Sequence, residues 1–294
     1  MTITIENIQS HHKAGIQALV EALNQVDHLA YSLTDEWLDY IIQQTSESVF
    51  IAMNQEKVVG IATCMINEMD QGHAVINIAI HPHYRKQGIG SHLHNRVLDY
   101  TKSKQIKTIE AYVKQRLDSS LRFAKERGLL PVLYAWQMDL DISKADLQWQ
   151  DSNPRALRFR QATINDSETY AAIINAVFGD ALNQSVLQQL LQDHSIWVYL
   201  LEEKGKVLGS TTIQLKNNLS LGYIYDVAIL ELYRGQGLGS YMLKESIKHL
   251  RNQKMDKASL TVTGDNKKAL ALYQKLGFEE VDMDILMSTM AIKD

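Results

Sequence analysis

Two stretches of the sequence follow one pattern, Arg85-Lys86-Gln87-Gly88-Ile89-Gly90-Ser91 and Arg234-Gly235-Gln236-Gly237-Leu238-Gly239-Ser240. Each comes a few residues after an apolar run and precedes a segment with apolar residues at helical spacing. A strand that passes through a glycine-rich turn into a helix presents unpaired main-chain N–H groups, and the helix dipole adds positive potential there. Both stretches therefore predict a loop that binds an anion such as a phosphate.

The spacing of the glycines separates this pattern from other phosphate-binding loops. Neither stretch ends in Gly-Lys-Ser or Gly-Lys-Thr, which excludes the NTPase P-loop, and neither has the three-glycine spacing of a dinucleotide-binding fold. Glycine lets the backbone turn sharply and approach phosphate oxygens without a Cβ atom in the way. What both stretches share is Arg-x-x-Gly-x-Gly.

The two loops belong to a longer internal repeat. An offset of 149 residues takes Gly60 to Gly209, and the same offset aligns the two loops residue by residue. Neither copy therefore needs a net insertion over this range, and a repeat of this length indicates a duplicated domain. We predict an N-terminal domain at 1–145 and a C-terminal domain at 156–294, joined by a polar, turn-prone linker.

The composition is that of a globular protein and argues against several classes. A chain of 294 residues with 45% hydrophobic and 22% charged residues is long enough for two domains with real cores. A net charge of −4 argues against a protein that coats nucleic acid or an anionic membrane. The one cysteine, Cys64, permits neither a disulfide framework nor a thiolate metal cluster.

The termini and hydropathy predict a cytoplasmic enzyme. The first residues lack the basic region and long apolar segment of a signal peptide, and no apolar run approaches the roughly 20 residues that span a bilayer. We therefore expect neither a membrane nor a nucleic-acid partner. The sequence does not predict an oligomeric state.

The second repeat predicts the fold class. Asn165 or Asp166 is a candidate helix cap, and a further helix follows the glycine loop. Strands are predicted at 157–161, 195–202, 206–214, 221–229, 258–263 and, as the closing strands, 280–290. The fold class is therefore α/β (α+β), with a mostly antiparallel mixed sheet and flanking helices in each of two tandem domains.

At this point the chain resembles the GNAT superfamily of acyl-CoA N-acyltransferases, because Arg-x-x-Gly-x-Gly occurs twice, each time after an apolar strand. The resemblance implies that the loop amides bind the pyrophosphate of acetyl-CoA and that the preceding strand splays from its neighbour to admit pantetheine. The cofactor-binding residues that it implies are Ile78, Ile80, Arg85, Lys86, Gln87, Gly88, Ile89, Gly90, Ser91, Val227, Ile229, Arg234, Gly235, Gln236, Gly237, Leu238, Gly239 and Ser240.

The second repeat also matches the superfamily's Asn-x-x-Ala-x-x-x-Tyr-x-x-x-Gly-Phe pattern, from Asn266 to Phe278. The resemblance implies that Tyr273 protonates the departing CoA thiolate and that Asn266 helps to anchor the cofactor. A phenol suits this step because its ordinary pKa, about 10, lies near that of a thiol. Asp226 is the candidate general base or amine-steering acid, with Glu231 or a water relay as alternatives. The alternative for Tyr273 is a core residue of an amphipathic helix.

The first repeat lacks these groups. The 149-residue offset places Ala124, Leu117 and Asn77 at the positions of Tyr273, Asn266 and Asp226, respectively. We therefore predict that this copy retains a CoA loop but is catalytically degenerate, unless Tyr112 or Tyr134 substitutes. A tandem arrangement with a degenerate first copy resembles the mycothiol synthase type within the superfamily.

The predicted function is transfer of an acetyl group from acetyl-CoA to a primary amine, carried by a small molecule or a peptide. The amine attacks directly in a ternary complex, because no activated cysteine or serine is evident. Two alternatives stay open: a non-catalytic acyl-CoA sensor or scaffold, and two active domains that act on different amines.

Several other patterns carry less weight. The pairs His81 with His83 and His92 with His94 do not predict a metal site, because residues two apart on a helix diverge and carboxylates to orient them are not evident. An aromatic group at roughly helical spacing predicts core, with a substrate pocket as the alternative: Tyr31, Trp37 and Tyr40. Candidate contacts to the CoA 3′-phosphate are Lys114, Arg116, Lys267 and Lys268.

Overall fold

The computed structural model describes most of the chain, residues 3–29, 35–66, 72–145, 156–179 and 184–289. The chain forms two compact units. Unit 1 comprises Met1–Tyr134 together with Asp284–Asp294, and unit 2 comprises Ala135–Met283. None of the described helices is long and apolar enough to cross a membrane.

The first repeat builds the sheet of unit 1. Its elements, in chain order, are β1 (Ile3–Asn7), α1 (Lys13–Asp27), α2 (Asp35–Gln44), β2 (Val49–Asn54), β3 (Lys57–Ile66), β4 (His73–Ile80), α3 (Ile89–Ser103), β5 (Thr108–Lys114), α4 (Asp118–Lys125) and β6 (Leu130–Asp141). Strands β1 to β4 pair antiparallel in sequence order, and β5 joins β4 in parallel. Helix α3 begins at the first glycine loop and buries Ile89, Leu93 and Val97 along one face.

The second repeat builds the sheet of unit 2 in the same order. Its elements are β7 (Leu157–Gln161), α5 (Ser167–Phe178), α6 (Gln184–Gln192), β8 (Ile196–Glu203), β9 (Lys206–Lys216), β10 (Leu221–Ile229), α7 (Leu238–Asn252), β11 (Lys257–Thr263), α8 (Lys267–Lys275) and β12 (Glu279–Ser288). Strands β7 to β10 pair antiparallel, and β11 joins β10 in parallel. Helix α7 buries Leu243, Ile247 and Leu250 in the core.

Each sheet is closed by a strand from the other repeat. In unit 1, residues 284–288 of β12 pair antiparallel with β5, and Lys114 donates to the Asp284 carboxylate at 2.9 Å. In unit 2, residues 135–141 of β6 pair antiparallel with β11. The compact units therefore differ from the division into 1–145 and 156–294, which stays a prediction for the limits of the sequence repeat. Most of the predicted linker, 146–155, lies outside the described residues.

The predicted fold class is confirmed. Each unit has a sheet that is antiparallel except for one parallel pair, β4 with β5 in unit 1 and β10 with β11 in unit 2. Helices cover these sheets through clusters of buried aliphatic side chains. The parallel pair matters for function, because in each unit it includes the strand that leads to the glycine loop.

The pairing of β9 with β10 admits no side chain at Gly209. A Cβ atom there would lie 2.3 Å from the main-chain oxygen of Ala228 and 2.8 Å from Ile229 Cδ1. At Gly60, the equivalent in unit 1, the nearest atom is the side-chain Cδ1 of Ile80 at 2.9 Å, which can move. We expect Gly209→Ala to lower the free energy of unfolding by about 3 kcal/mol and Gly60→Ala by about 1 kcal/mol, measured by urea denaturation. Equal losses would contradict this packing.

Candidate active site

The glycine loop of unit 2 joins the end of β10 to the start of α7. Gly235 and Gly237 have φ of +75° and +78°, which L side chains rarely adopt, and Gly237 is the N-cap of α7. Arg234 Nε donates to the main-chain oxygen of Ile229 at 3.0 Å, which fixes the loop to the end of the strand. The first N–H groups of α7 have no partner within the helix, so they are available to an anion.

The loop of unit 1 has the same backbone but a different charge balance. Lys86 has φ of +60° where unit 2 has a glycine, and Gly88 has φ of +84°. Arg85 Nε donates to the main-chain oxygen of Ile80 at 3.1 Å, and its two Nη atoms donate to the carboxylate of Asp27, Nη1 to Oδ1 at 2.9 Å. Asp27 is buried, so the charge of Arg85 is already balanced inside the unit.

A second cation lies against the loop of unit 1. Arg127 Nη2 donates to Ser91 Oγ at 2.7 Å, and its guanidinium stacks 3.4 Å from the centroid of the Phe123 ring. A Cβ atom on Gly90 would lie 3.1 Å from Phe123. The 149-residue offset places leucines at the positions of Phe123 and Arg127 in the second repeat, Leu272 and Leu276. The hydroxyl of Ser91, a predicted cofactor contact, therefore already has a partner in unit 1.

In each unit, the strand before the loop parts from its parallel neighbour. Strand β10 pairs with β11 only from Leu221 to Ile224, although it continues to Ile229. Strand β4 pairs with β5 only from His73 to Val75. Beyond these residues, the described parts of the two strands have no ladder pairing across the gap, so main-chain groups there can bond to a ligand. In this gap the resemblance places pantetheine, beside Val227 and Ile229 in unit 2 and beside Ile78 and Ile80 in unit 1.

A β-bulge distinguishes the strand of unit 2. In β10 the register against β9 shifts between Tyr225 and Ala228, so Asp226 and Val227 together oppose Thr211. Asp226 has φ of +50°, an uncommon conformation for a residue other than glycine. A bulge disrupts the ladder locally and re-aims side chains and main-chain groups. In unit 1, β4 pairs with β3 from Ala74 to Ile80 without a shift.

The bulge brings Asp226 to a buried tyrosine. Tyr170 of α5 is fully buried, and its hydroxyl lies 3.1 Å from Asp226 Oδ2 and 2.8 Å from Thr212 Oγ1. Burial and the charge of Asp226 raise the pKa of Tyr170 well above its ordinary value. The carboxylate of Asp226 therefore has a donor that keeps its proton throughout the working pH range.

Tyr273 lies in the core of unit 2 with its ring covered. It is 8% exposed, and burial raises its pKa to about 12. It belongs to the core cluster against which Val227 packs, and its ring centroid lies 6.0 Å from that of Phe278. Its hydroxyl has no hydrogen-bond partner among the described residues. The side chain is thus a core residue with a protonated hydroxyl that no neighbour uses, and its catalytic role stays a prediction.

Asn266 is the N-cap of α8. Its Oδ1 accepts from the main-chain N–H of Ala269 at 3.1 Å, and this contact stabilises the helix that carries Tyr273. The corresponding residue of unit 1, Leu117, makes no such bond before α4. The structure therefore gives Asn266 a capping role, and the predicted contact with the cofactor stays a prediction.

Unit 1 lacks the groups proposed for chemistry in unit 2. Ala124 lies buried in α4, and Asn77 lies on the regular strand β4. The two tyrosines considered as substitutes are both on the surface: Tyr112 is 53% exposed and Tyr134 is 45% exposed. Burial, followed by the charges of Glu110 and Asp284, raises the pKa of Tyr112 above its ordinary value.

The histidine pairs of the first repeat do not form a cluster of metal ligands among the described residues. The group that does come together is Glu6, His11 and His12. His12 Nδ1 accepts from the Gln9 N–H at 3.0 Å, and Nε2 donates to Glu6 at 2.8 Å. A histidine that binds a metal through one nitrogen normally donates from the other. Since Nδ1 here is an acceptor, this arrangement suits a structural hydrogen bond better than a metal.

Five other residues considered in the sequence are exposed, bonded elsewhere, buried in the core or outside the described part of the chain. Tyr31 and the side chain of Trp37 are outside the described residues, and Tyr40 is 55% exposed. Arg116 donates to the main-chain oxygen of His28 at 3.1 Å. Cys64 is buried, and burial raises the pKa of its thiol to about 11, which makes it a poor nucleophile.

The comparison with protein families agrees with this geometry. The model described as the acetyltransferase (GNAT) family matches the chain twice, at residues 16–129 and 145–278. The chain belongs to the acetyltransferase (GNAT) family. The resemblance drawn from the two loops is thereby confirmed, and the two matches coincide with the two repeats. GNAT membership makes acyl transfer the class of reaction.

Two mycothiol acetyltransferases are similar in sequence to this GNAT chain over most of its length. Mycothiol acetyltransferase from Paenarthrobacter aurescens is 27% identical over 246 residues, which cover 79% of this chain and 74% of that protein. Its counterpart from Pseudarthrobacter chlorophenolicus is 25% identical over 236 residues, 76% of this chain and 72% of that protein.

Two solved structures share the fold of both GNAT repeats. A GCN5-related N-acetyltransferase from Sphaerobacter thermophilus superposes with a TM-score of 0.77 at 17% identity, covering 97% of this chain and 95% of that one. A tandem GNAT protein from the clavulanic acid biosynthesis pathway superposes with a TM-score of 0.76 at 14% identity, covering all of both chains. At these identities the likeness shows the fold alone.

Tyr170, Thr212 and Arg127 were not predicted from the sequence as residues of the site. Tyr170 lies on the apolar face of α5, at a position that the helical pattern predicts for any core residue. The pattern therefore does not indicate a role for its hydroxyl. One sign was available: Ser210-Thr211-Thr212 is a polar run inside β9, and all three residues are fully buried. Buried hydroxyls need partners, so this run predicts a polar neighbour on an adjacent element.

Proposed function

We propose that this GNAT protein transfers the acetyl group of acetyl-CoA to a primary amine, and that unit 2 carries the reaction. The observation that carries the proposal is the bulge in β10, which brings Asp226 to Tyr170 and frees main-chain groups beside the gap between β10 and β11. Unit 1 has a comparable gap and loop but a regular β4. The acceptor is a small-molecule or peptide amine.

The cofactor would be held by main-chain groups of unit 2. The N–H groups at the start of α7 and the loop from Arg234 to Ser240 suit the diphosphate, because an anion gains from both hydrogen bonds and the helix dipole. Val227 and Ile229 would bond to pantetheine along the unpaired edge of β10. An N–H of the bulge is suited to the oxygen that gains negative charge during transfer.

Acetyl-CoA supplies the acetyl thioester. The amine nitrogen forms a bond to the carbonyl carbon, and the bond from that carbon to sulfur breaks. Asp226 would accept the proton that the amine must lose to become a nucleophile, and Tyr273 would give its proton to the departing sulfur. A pKa of about 12 keeps Tyr273 protonated at neutral pH, so it can act as an acid there.

We propose that unit 1 does not catalyse transfer. It has Ala124 at the position of the acid and Asn77 at that of the base, and neither exchanges a proton at neutral pH. Asp27 and Arg127 engage the side chains of Arg85 and Ser91 at its loop. We expect these contacts to lower the affinity of the unit 1 loop for an anionic ligand. The main-chain donors of the loop remain in place.

Release of CoA in the presence of a panel of amines tests the proposal. We expect release that depends on the amine, together with an N-acetylated product of matching mass. The panel should contain polyamines, amino acids, amino sugars and lysine-containing peptides. Binding of acetyl-CoA without release on the whole panel would favour the sensor hypothesis. Matched variants, Asp226→Asn in unit 2 and Asn77→Ala in unit 1, separate the two units, and only the first should abolish release.

A further inference from the structure

Three side chains from three elements of unit 2 form a buried hydrogen-bonded chain. Tyr170 comes from α5, Thr212 from β9 and Asp226 from β10. Tyr170 and Thr212 are both fully buried. The Tyr170 hydroxyl lies 2.8 Å from Thr212 Oγ1 and 3.1 Å from Asp226 Oδ2.

The number of available protons determines which group donates in each of these two hydrogen bonds. An ionised carboxylate only accepts, so the single proton of the Tyr170 hydroxyl is donated to Asp226. The Thr212 hydroxyl must then donate to Tyr170, because the tyrosine has no second proton. The chain therefore runs from Thr212 through Tyr170 to Asp226, with both donors buried. Burial also raises the pKa of Tyr170, so the donor is not lost at working pH.

The backbone of Asp226 needs such support. Its φ of +50° places it in the left-handed region, which costs about 1 kcal/mol or more for a residue other than glycine. The bulge also interrupts the regular pairing of β10 with β9 between Tyr225 and Ala228. A buried donor on the carboxylate offsets this cost and selects one orientation of the side chain.

Unit 1 shows the same positions without the chain of hydrogen bonds. Helices α1 and α5 start at Lys13 and Ser167, so the fourth residue of each is Ile16 and Tyr170, and both are fully buried. Where unit 1 has isoleucine, its strand β4 is regular and carries Asn77. The tyrosine, the aspartate and the bulge are therefore present together in one unit and absent together from the other.

We propose that Tyr170, supported by Thr212, is a positioning residue that sets the orientation and ionisation of Asp226 toward the acceptor amine. This inference rests on the proposed function, in which Asp226 takes a proton from that amine. Tyr170 acts through Asp226 and does not itself touch the reacting atoms.

Other titratable groups lie on the elements around these three side chains. Tyr225 precedes Asp226 on β10, and burial and the charge of Asp226 raise its pKa well above the ordinary value. Asp193, before β8, acts on Tyr225 through its charge. Strand β9 contributes hydroxyls only, from Ser210 to Thr212.

The test is Tyr170→Phe, which removes the donor and keeps the ring. Loss of a hydrogen bond to a charged acceptor should lower kcat/KM for the amine about tenfold or more, while the dissociation constant of acetyl-CoA stays unchanged. Without its donor the carboxylate binds a proton more readily, so the acidic limb of the kcat/KM profile should move to higher pH. In protein without acetyl-CoA, the titration of the Asp226 carboxyl followed by carbon NMR should move in the same direction.

Two further variants keep the test decisive. Tyr199→Phe removes the hydroxyl of another buried tyrosine of unit 2, one with no hydrogen bond among the described residues, and should leave both readouts unchanged. Thr212→Val removes the hydroxyl that donates to Tyr170. It should move the pH profile and the carboxyl titration in the same direction as Tyr170→Phe, but by less. If Tyr170→Phe does not fold, Thr212→Val carries the test. An unshifted pH profile and carboxyl titration in the folded variants would overturn the inference.

The outcomes also separate this inference from the proposed function. If the wild-type protein releases no CoA with any amine, the proposed function fails, whereas the carboxyl titration still reports on the hydrogen bond. If Asp226→Asn abolishes release while Tyr170→Phe leaves the pH profile unchanged, Asp226 remains the base and only the positioning role is lost.

Discussion

Replacing Gly237 with valine is expected to abolish turnover. Gly237 has φ of +78° at the N-cap of α7, and a β-branched residue cannot adopt that conformation without severe strain. The first turn of the helix must then rearrange, and its N–H groups no longer converge on a diphosphate. Loss of two hydrogen bonds to charged oxygens costs about 3 kcal/mol or more, on the order of a hundredfold or more in kcat/KM. The rate of CoA release measures the effect.

Gly88→Val is the matched control for this change. Gly88 has φ of +84° at the N-cap of α3, and a Cβ atom at either glycine would meet no other atom within 4 Å. The two substitutions thus impose the same local strain in different units. We expect Gly88→Val to leave turnover intact. Loss of turnover in Gly88→Val with normal turnover in Gly237→Val would assign the chemistry to unit 1.

Tyr273→Phe is expected to lower kcat about a hundredfold, because the departing thiolate loses its proton donor. The affinity for acetyl-CoA should stay unchanged, since in the proposed function main-chain groups elsewhere in unit 2 bind the cofactor. The free energy of unfolding should also stay unchanged, because the hydroxyl has no hydrogen-bond partner among the described residues. Single-turnover CoA release and urea denaturation measure these quantities.

Two tyrosines of unit 1 provide the control for Tyr273, the proposed proton donor. Tyr112→Phe and Tyr134→Phe remove the hydroxyls considered as substitutes in the first repeat, and both side chains are about half exposed. We expect neither change to affect CoA release. A fall in release with Tyr112→Phe that exceeds the fall with Tyr273→Phe would favour an active unit 1 and a core role for Tyr273.

The sequence was most informative where one residue type is required locally. The glycines of both loops mark positions with positive φ at the start of a helix, and the helices that follow show apolar residues at regular spacing. These features predicted α3, α7 and the GNAT resemblance, all of which were confirmed, whereas anion binding by the loops stays a prediction. Asn165 or Asp166 was the predicted cap of α5, and Asp166 is its N-cap, although its side chain makes no capping hydrogen bond there. Its carboxylate instead accepts from the Thr163 N–H at 2.7 Å, in the capping box of the short helical turn that precedes α5.

Features that depend on partners distant in sequence could not be predicted. The bulge at Asp226 involves no inserted residue relative to the first repeat, so the constant offset conceals it. The exchange of β6 and β12 is equally hidden, because the closing strand of either repeat has the alternation needed to close either sheet. Tyr170 resembles any core residue of an amphipathic helix until Asp226 and Thr212 are placed beside it.

The duplication thus retains a loop in each unit while the groups suited to chemistry lie in one of them. In unit 1, Arg85 pairs with Asp27, and Arg127 bonds to Ser91. In unit 2, Arg234 is bonded to the main chain of Ile229, and a buried tyrosine supports Asp226. These differences support the proposal that unit 2 carries the transfer.

Isothermal titration of acetyl-CoA and of free CoA into the intact chain tests the central claim, that a glycine loop binds the cofactor's diphosphate through main-chain donors. We predict saturable heat with both ligands in the wild type and in Gly88→Val, and loss of the high-affinity phase in Gly237→Val. A flat titration with both ligands in the folded wild-type protein would contradict the claim.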